Sequence, residues 1–579
     1  MVIDSRTARL LELVAARPHA GGRGSEKASL FGLFSCRTPG GSRLLRQSLL
    51  QPLACRRDIE IRQAAVEALL NDEPLFYELQ RLLPAIGDVD LLAARLTIEP
   101  KSRGPQWCRA AIRTALKLRA ALAALPLLAE ALRRSTAAQG SELLSEAHGV
   151  ITHAKFPSLL RGLDSVLDGD SSQALGGGET TASLAHVALM YAVRPSVSPL
   201  LDVARQTWND ALEQIHSLHR GYVVKYPDMN IKLEYTERRG WYLSHSLQAA
   251  PDDFLQTAAK GSSGRFMSTT KDLNSENFKL RQAEREILVQ TVSVLSGLYE
   301  NLRADATLLY RVSHTACVLD LVQAFVGYTL LTGVYTKPVL TEEGHAPIAV
   351  KAGRHPVLEQ LLARDASAPA FEALDYFVGP TCHFQTITGA NGGGKSTYLQ
   401  TIAQLVVLAH VGCFIPAQHA TIRVVSSLLA RIGTSDCIEA SASTFLVEMQ
   451  EVAHILDDTM PESLVLIDEL GRGTAHLDGV SICWAVCERL IESGVYTLFA
   501  THFYEVCRLQ SVVPGFRNMH LQPSPQGQQS FVVQHAKSVE MLLAKPEGRY
   551  GLAAAQLVGF PAELLRSAHA MAARAHERM

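Results

Sequence analysis

Residues 389–397 read GANGGGKST, after the apolar run HFQTIT and before a stretch with helical spacing. Strand then helix is the setting that the pattern GxxxxGK[ST] requires. Across Gly389, Ala390, Asn391, Gly392, Gly393 and Gly394, the glycines let backbone N–H groups turn inward as an anion nest at a helix N-terminus. Lys395 then reaches the β and γ phosphates of a nucleotide, and Ser396, followed by Thr397, offers a hydroxyl to Mg²⁺. A Gly-rich turn formed by chance is the competing reading. Downstream, the apolar run Leu464-Val465-Leu466-Ile467 ends in Asp468-Glu469, which puts two carboxylates at the C-terminal edge of the same kind of sheet. Asp468 is placed to hold Mg²⁺ through water, and Glu469 to orient or deprotonate an attacking water. Together the two signals leave little room for chance.

Two more segments could complete such a site. Thr501-His502 follows the run YTLFA, and a His at a strand end near the γ-phosphate could sense it, although a lone His is usually structural. Segment 431–449, RIGTSDCIEASASTFLVEM, offers Ser441, Ser443 and Thr444 where a helix begins, and on their own these hydroxyls read as an N-cap. The ten Cys contain no CxxC pair, so neither a disulfide framework nor a zinc ribbon is expected. Cys483 and Cys487, four apart in a helical run, read as small apolar packing.

Such chemistry needs a scaffold, and 579 residues are about four times the ~150-residue domain norm, so several linked cores are expected. With 47% apolar and 19% charged residues the chain has the composition of packed cores. A net charge of −2 supplies no overall basic field, so any DNA contact must come from local basic surfaces. The N-terminus MVIDSRTARLLELV lacks the apolar core of a signal peptide, and the apolar stretches 116–129 and 401–416 are each interrupted by polar residues. No membrane span is expected.

From Leu44 to Leu132, Leu, Ala and Arg recur at helical spacing, interrupted by Pro52, Pro74, Pro84 and EPKSRGP at 99–105. Segment 164–182 reads as an irregular loop, and helical pattern returns around Val187–His219. At 220–250, β-branched and aromatic residues beside Pro227 and Gly240 predict a short antiparallel sheet. After it, Leu288, Val292, Leu295, Tyr299, Leu302, Ala306, Leu309 and Val312 alternate steps of four and three, predicting one long helix laid against a partner. Beyond Lys337-Pro338, strands alternate with helices, the pattern of a largely parallel α/β sheet.

In order and spacing, GANGGGKSTYLQ, VGCFIPA (411–417), RIGTSD (431–436), STFLVEM (443–449), LVLIDELGRGT (464–474), DG (478–479) and FATHF (499–503) resemble the ATPase domain of the MutS family. The likeness continues through GRHPVLE (353–359), LDLVQAF (319–325), LEYTERRGWYL (233–243), GSRLLRQSLLQPL (41–53) and DSRTARLLELV (4–14), so it covers nearly the whole chain. Within the family, STYLQTIAQ, ICWAVCERLI and the short spacing from Phe377 to the glycine loop look most like the fourth eukaryotic homologue, a meiotic crossover factor.

The resemblance implies a multidomain fold. A helical core at 1–106 is followed by ascending lever helices with an irregular insertion at 107–219 and a small β clamp at 220–262. A descending lever helix and return to the core occupy 263–337, and an α/β P-loop ATPase domain of ABC type occupies 338–579. It also implies two nucleotide sites formed across a dimer, with Ser443 acting on the ATP held by the other chain. Asn391 and His502 would line the phosphates beside the catalytic Glu469, and Phe377 would stack on adenine. Lys225, Lys232, Arg238 and Arg239 of the clamp would make sequence-independent phosphate contacts, where without the resemblance they read as solvated charge.

Some residues depart from the family pattern. Ala390 and Gly392 stand where Pro and Met are usual, and Ala475-His476 replaces a small hydroxyl pair, which puts fine communication between the two sites in doubt. Phe76-Tyr77-Glu78 mimics the mismatch-reading Phe-x-Glu inside a helical run and is rejected as a decoy. The mismatch-reading and connector domains are expected to be missing, as are the C-terminal dimerisation helices. The expectation is a nuclear, MutS-like ATPase using ATP and Mg²⁺, without membrane contact, that clamps duplex or branched DNA in a heterodimer with a related subunit and promotes meiotic crossover. The alternatives are a mismatch-repair subunit from a shortened gene model, and a nucleotide-switched scaffold with little hydrolysis.

Overall fold

In the computed structural model the described residues are all but 17–25, 101–102, 169–189, 237–238, 247–250, 260–264, 332, 343–345, 365–370, 390–392, 433–443, 524–530, 536–558 and 579. The chain divides into two units, each discontinuous in sequence. One combines Met1–Gln80, Leu132–Glu146 and Cys317–Met579, and the other combines Arg81–Ala131 with Ala147–Ala316.

The first unit is built on a seven-stranded sheet. Its spatial order is Val2–Ile3, Ser427–Arg431, Leu464–Asp468, Tyr496–Ala500, Phe384–Gly389, Phe516–Pro523 and Phe531–His535, parallel throughout except for the last pair. The four middle strands are buried at every position, which is why they read as continuous apolar runs rather than alternating ones. Phe384, Val465, Ile467 and Phe499 pack with Cys483, Cys487 and Leu490 of helix His476–Glu492, so the two cysteines are core residues. Burial pushes the Cys483 thiol up to about 12, which keeps it protonated and inert.

Helix Lys395–His410 is buried along almost its whole length. A separate four-stranded sheet, in the order Val339–Thr341, His419–Arg423, Ile348–Gly353 and Leu374–Val378, belongs to the same unit. The N-terminal segment belongs here too. Thr7 Oγ1 accepts the Ala430 N–H at 3.0 Å, and Gln400 and Gln404 of the buried helix donate to the Leu10 and Leu11 carbonyls at 3.2 and 2.9 Å.

In the second unit, helices Pro199–Lys225 and Lys271–Ala304 pack along each other. Leu201, Ala204, Trp208, Ala211 and Ile215 of the first and Leu273, Leu280, Ala283 and Ile287 of the second are buried at helical spacing. Ser198 and Thr270 cap them by accepting the Leu201 and Leu273 N–H groups. An antiparallel sheet in the order Lys232–Thr236, Gly240–His245, Phe266–Thr269 and Leu255–Ala259 lies between the two helices in sequence. Asn277 ties it to the second helix, donating to the Trp241 carbonyl at 2.8 Å and accepting the Trp241 N–H at 2.9 Å.

Several sequence expectations are corrected. Residues 220–225 continue the preceding helix, because propagation from a capped start outweighs the β-preference of Val223 and Val224. The sheet extends to Thr269, and its last two strands carry too little alternation to be recognised. The predicted long seam is two helices, Lys271–Ala304 and Ala306–Leu331, broken at Asp305. Leu302, Leu309 and Val312 remain buried on either side, so the apolar stripe hides a one-residue break.

Pro84 and Pro126 lie inside helices Glu73–Ile86 and Pro105–Arg134, and Pro74 sits in the first turn of the former, where its missing N–H costs nothing. The predicted 164–182 loop begins later than expected, since helix Lys155–Val166 covers 164–166, and 169–182 lie outside the described residues. Helix Ala306–Leu331 has the length and apolar composition of a membrane span, with a mean hydropathy of 1.3 in one window, of which 61% is buried within the protein as in a core helix. Its Asp320 carboxylate is buried too, accepting the N–H groups of Arg37 and Thr38. Phe76 is buried in its helix, where it cannot stack on a base.

Candidate functional site

Strand Phe384–Gly389 lies between Tyr496–Ala500 and Phe516–Pro523, so its C-terminal end opens where neighbouring parallel strands also end. A side chain at Gly389 would come within 2.9 Å of the Leu521 carbonyl oxygen, so only glycine lets the chain turn out there. Gly394 has φ 85° and forms the N-cap of helix Lys395–His410 with no side-chain cap hydrogen bond, the geometry by which a helix N-terminus meets an anion. Lys395, 4% exposed, donates from Nζ to the Gly389 carbonyl at 3.0 Å and lies 3.6 Å from Glu469 Oε1. Ser396 Oγ donates to Asp468 Oδ2 in a short hydrogen bond. Glu469, at φ 58°, also pairs with Arg472 Nη1 at 2.5 Å.

These positions follow from the strand ends. Asp468 closes strand Leu464–Asp468 beside Ala500 of the neighbouring strand, and the Glu469 N–H donates to the Ala500 carbonyl at 2.8 Å. Burial raises the Asp468 carboxyl above its usual range, opposed by the Ser396 hydroxyl. Its Oδ1 accepts no hydrogen bond among the described residues, and a hydrated cation satisfies such an acceptor. His502 is half-buried against the Phe503 ring at 4.5 Å, and burial, then the Arg472 charge, lowers its pKa, which favours neutral imidazole. A buried ammonium, a helix N-terminus, a hydroxyl and a carboxylate are the donor set that fits a nucleoside triphosphate with Mg²⁺.

The other expected site residues are spread more widely. Asn391, Ala390, Gly392, Ser443 and Arg238 lie outside the described residues. Gly393 is buried before the helix, and Thr397 follows Ser396 in its first turn. Phe377, 41% exposed, lines a cleft of about 430 Å³ on the four-stranded sheet with Lys351, Asp375 and His419. No described contact joins it to the Lys395 cluster. Lys225 closes helix Pro199–Lys225 and pairs with Asp253 at 2.5 Å. Lys232 and Arg239 are exposed on the antiparallel sheet and its turn, with no carboxylate partner among the described residues. Among the described residues no cluster of three or more His, Cys, Asp or Glu could hold a metal.

The family models for MutS domain III and MutS domain V match residues 6–326 and 385–576. The chain belongs to the MutS family. It is 30% identical to the DNA mismatch repair protein MSH4 of Arabidopsis thaliana, over 99% of this chain and 72% of that protein. It is 30% identical to human MutS protein homolog 4, over 98% of this chain and 59% of that protein. Bacterial relatives match as well, among them the DNA mismatch repair protein MutS of Desulfitobacterium hafniense, 31% identical over 98% of this chain and 61% of that protein. Proteins of the MutS family are ATPases that use ATP and Mg²⁺, bind DNA and form dimers. The chain spans somewhat under two thirds of the length of several of these relatives.

Sequence reasoning passed over three residues of this MutS-family site. Arg472 lies within the quoted LVLIDELGRGT run, so its pairing with Glu469 had a local signal. Arg431 and Glu448 lie in the quoted RIGTSD and STFLVEM runs, but nothing in those runs pairs them, and only the fold joins them to Asp468.

Proposed function

We propose that this chain is an ABC-type ATPase that clamps duplex or branched DNA, such as a Holliday junction, in a heterodimer with a related MutS-family subunit, and serves meiotic crossover in the nucleus. The observation that carries the ATPase reading is the convergence of Lys395, Ser396, Asp468 and Glu469 at the C-terminal ends of two parallel strands, Phe384–Gly389 and Leu464–Asp468, that flank Tyr496–Ala500. In this reading Lys395 and the N–H groups after Gly394 neutralise the phosphate oxygens, with Asn391 beside them. Ser396 and Asp468 hold Mg²⁺, which when bound draws negative charge from the phosphates. Glu469 orients or deprotonates the attacking water, and His502 stays neutral beside it. Ser443, just before helix Thr444–Asp458, would serve ATP bound at the other chain's glycine loop.

The DNA part of the reading is supported by the exposed Lys232 and Arg239; Lys225, already paired with Asp253, contributes less. The recombination part of the reading is supported by the resemblance of STYLQTIAQ and ICWAVCERLI to the fourth eukaryotic homologue, a meiotic crossover factor.

The test is ATP turnover and DNA affinity of the purified chain with a related subunit, on a four-way junction, a matched duplex and a mismatched duplex. We expect junction-stimulated turnover, affinity that falls steeply with salt, and no mismatch preference. A clear preference for the mismatch would refute the recombination reading. Absence of hydrolysis on every DNA would refute the ATPase reading.

A further inference from the structure

Arg431 is 3% exposed and closes strand Ser427–Arg431 opposite Ile467. Its Nη1 donates to the Asp468 carbonyl oxygen in a short contact, and its Nη2 lies 3.0 Å from Glu448 Oε1. The same Glu448 oxygen accepts the Gly471 N–H at 2.9 Å. Glu448 is itself buried, on helix Thr444–Asp458. Glu451, nearly one turn further, lies 3.7 Å from Arg431 Nε and 3.6 Å from Arg6 Nε.

One buried ion pair therefore holds the backbone on both sides of Glu469. The carbonyl before Glu469 is bound by Arg431, and the amide two residues after it by Glu448. Between these anchors Glu469 keeps φ 58°, a left-handed value that a non-glycine residue retains only where its surroundings over-determine it. That backbone value sets the direction in which the Glu469 carboxylate leaves the chain, towards Lys395 and Arg472.

We propose that Arg431 is a positioning residue that, with Glu448, sets the conformation of Glu469 and links it to helix Thr444–Asp458. The proposal rests on the ATPase reading and deepens it. Arginine suits the role because its planar fork serves a carbonyl and a carboxylate at once, which an ammonium does not. The helix it grips begins directly after the segment containing Ser443. Displacement of that helix by ATP on another chain would reach Glu469 through two side chains, so each chain's hydrolysis would answer to the nucleotide its partner holds.

The test compares wild type, Arg431→Met, Arg431→Lys and Glu448→Gln as full chains with a related subunit. Readouts are kcat, KM, direct nucleotide affinity, and hydrogen exchange over residues 469–474. Arg431→Met should lower kcat by about tenfold or more while nucleotide affinity stays within about threefold, and should speed exchange in that segment. Arg431→Lys should recover little, and Glu448→Gln should fall between.

Wild-type kcat in Arg431→Met, or loss of affinity in step with kcat, would overturn the proposal. If Arg431→Met does not fold, the Lys and Gln variants decide in the same way. Were the wild-type assembly to hydrolyse no ATP, the ATPase reading would fail, and exchange would still judge the positioning claim. Unchanged exchange over 469–474 would overturn it.

Discussion

His410, in the last turn of the buried helix that starts at Lys395, should make the first unit acid-sensitive. Its Nδ1–H donates to the Val406 carbonyl at 2.8 Å, and its Nε2 accepts the Val425 N–H at 3.0 Å. Only the neutral ring satisfies both bonds, since a protonated Nε2 would face another donor. Burial, aided by the Met1 ammonium, lowers its pKa from near 6.5 to about 4. The unfolded chain therefore takes up this proton near pH 6.5 and the folded chain only near pH 4. Between those values the unfolded state binds more protons, so stability is complete above pH 6.5 and falls as pH drops towards 4. One pKa unit corresponds to about 1.4 kcal/mol, which makes the loss about 3 kcal/mol. His410→Gln keeps an acceptor for the Val425 N–H and removes the titration. In urea unfolding from pH 7 down to pH 4, the gap between wild type and variant should narrow by about that amount, because other titrating groups cancel in the comparison. Parallel loss in the two proteins would refute the reasoning.

Lys395→Ala should abolish ATP binding, whereas Glu469→Gln should leave binding intact and trap the nucleotide, since the first removes the partner of the phosphate charge and the second only that of the water. Equal loss of nucleotide affinity in both would refute this division of roles. Replacing Arg238 and Arg239 with Ala should weaken DNA binding and flatten its salt dependence, and an unchanged slope would remove the antiparallel sheet from the DNA interface. Ala475 sits at the N-cap of helix His476–Glu492 with extended backbone angles and no side-chain acceptor, so Ala475→Ser should stabilise the protein by about 1 kcal/mol, read as a raised unfolding midpoint. No rise would mean that the first-turn N–H groups already have partners.

The Lys395 cluster was legible because each half of it is local. A glycine loop before Lys395-Ser396 and an apolar run before Asp468-Glu469 each state their own backbone geometry within about ten residues. The strands at 464–468 and 496–500 were legible for a related reason: a strand covered on both faces must be apolar at every position. Helix ends were harder. Asp305 breaks a helix within an unbroken apolar stripe, and Val223 and Val224 belong to a helix that their residue types disfavour, because packing and propagation outweigh propensity.

The sequence by itself determined the chemistry on offer and the periods of the elements carrying it, since side-chain type and spacing act over a few residues. Only the tertiary structure decided which distant residues meet. Val2 and Ile3 add a parallel strand beside Ser427–Arg431, and Thr7 bonds to Ala430 across a separation of 423 residues, pairings with no local signature. Arg431, Glu448 and Gly471 lie in three separate runs, RIGTSD, STFLVEM and LVLIDELGRGT, whose spacing does not pair them, and they come together at Glu469 because one strand, one helix and one loop pack at the same sheet edge. A buried arginine draws its effect from the groups around it, and the positions of those groups are a property of the folded whole.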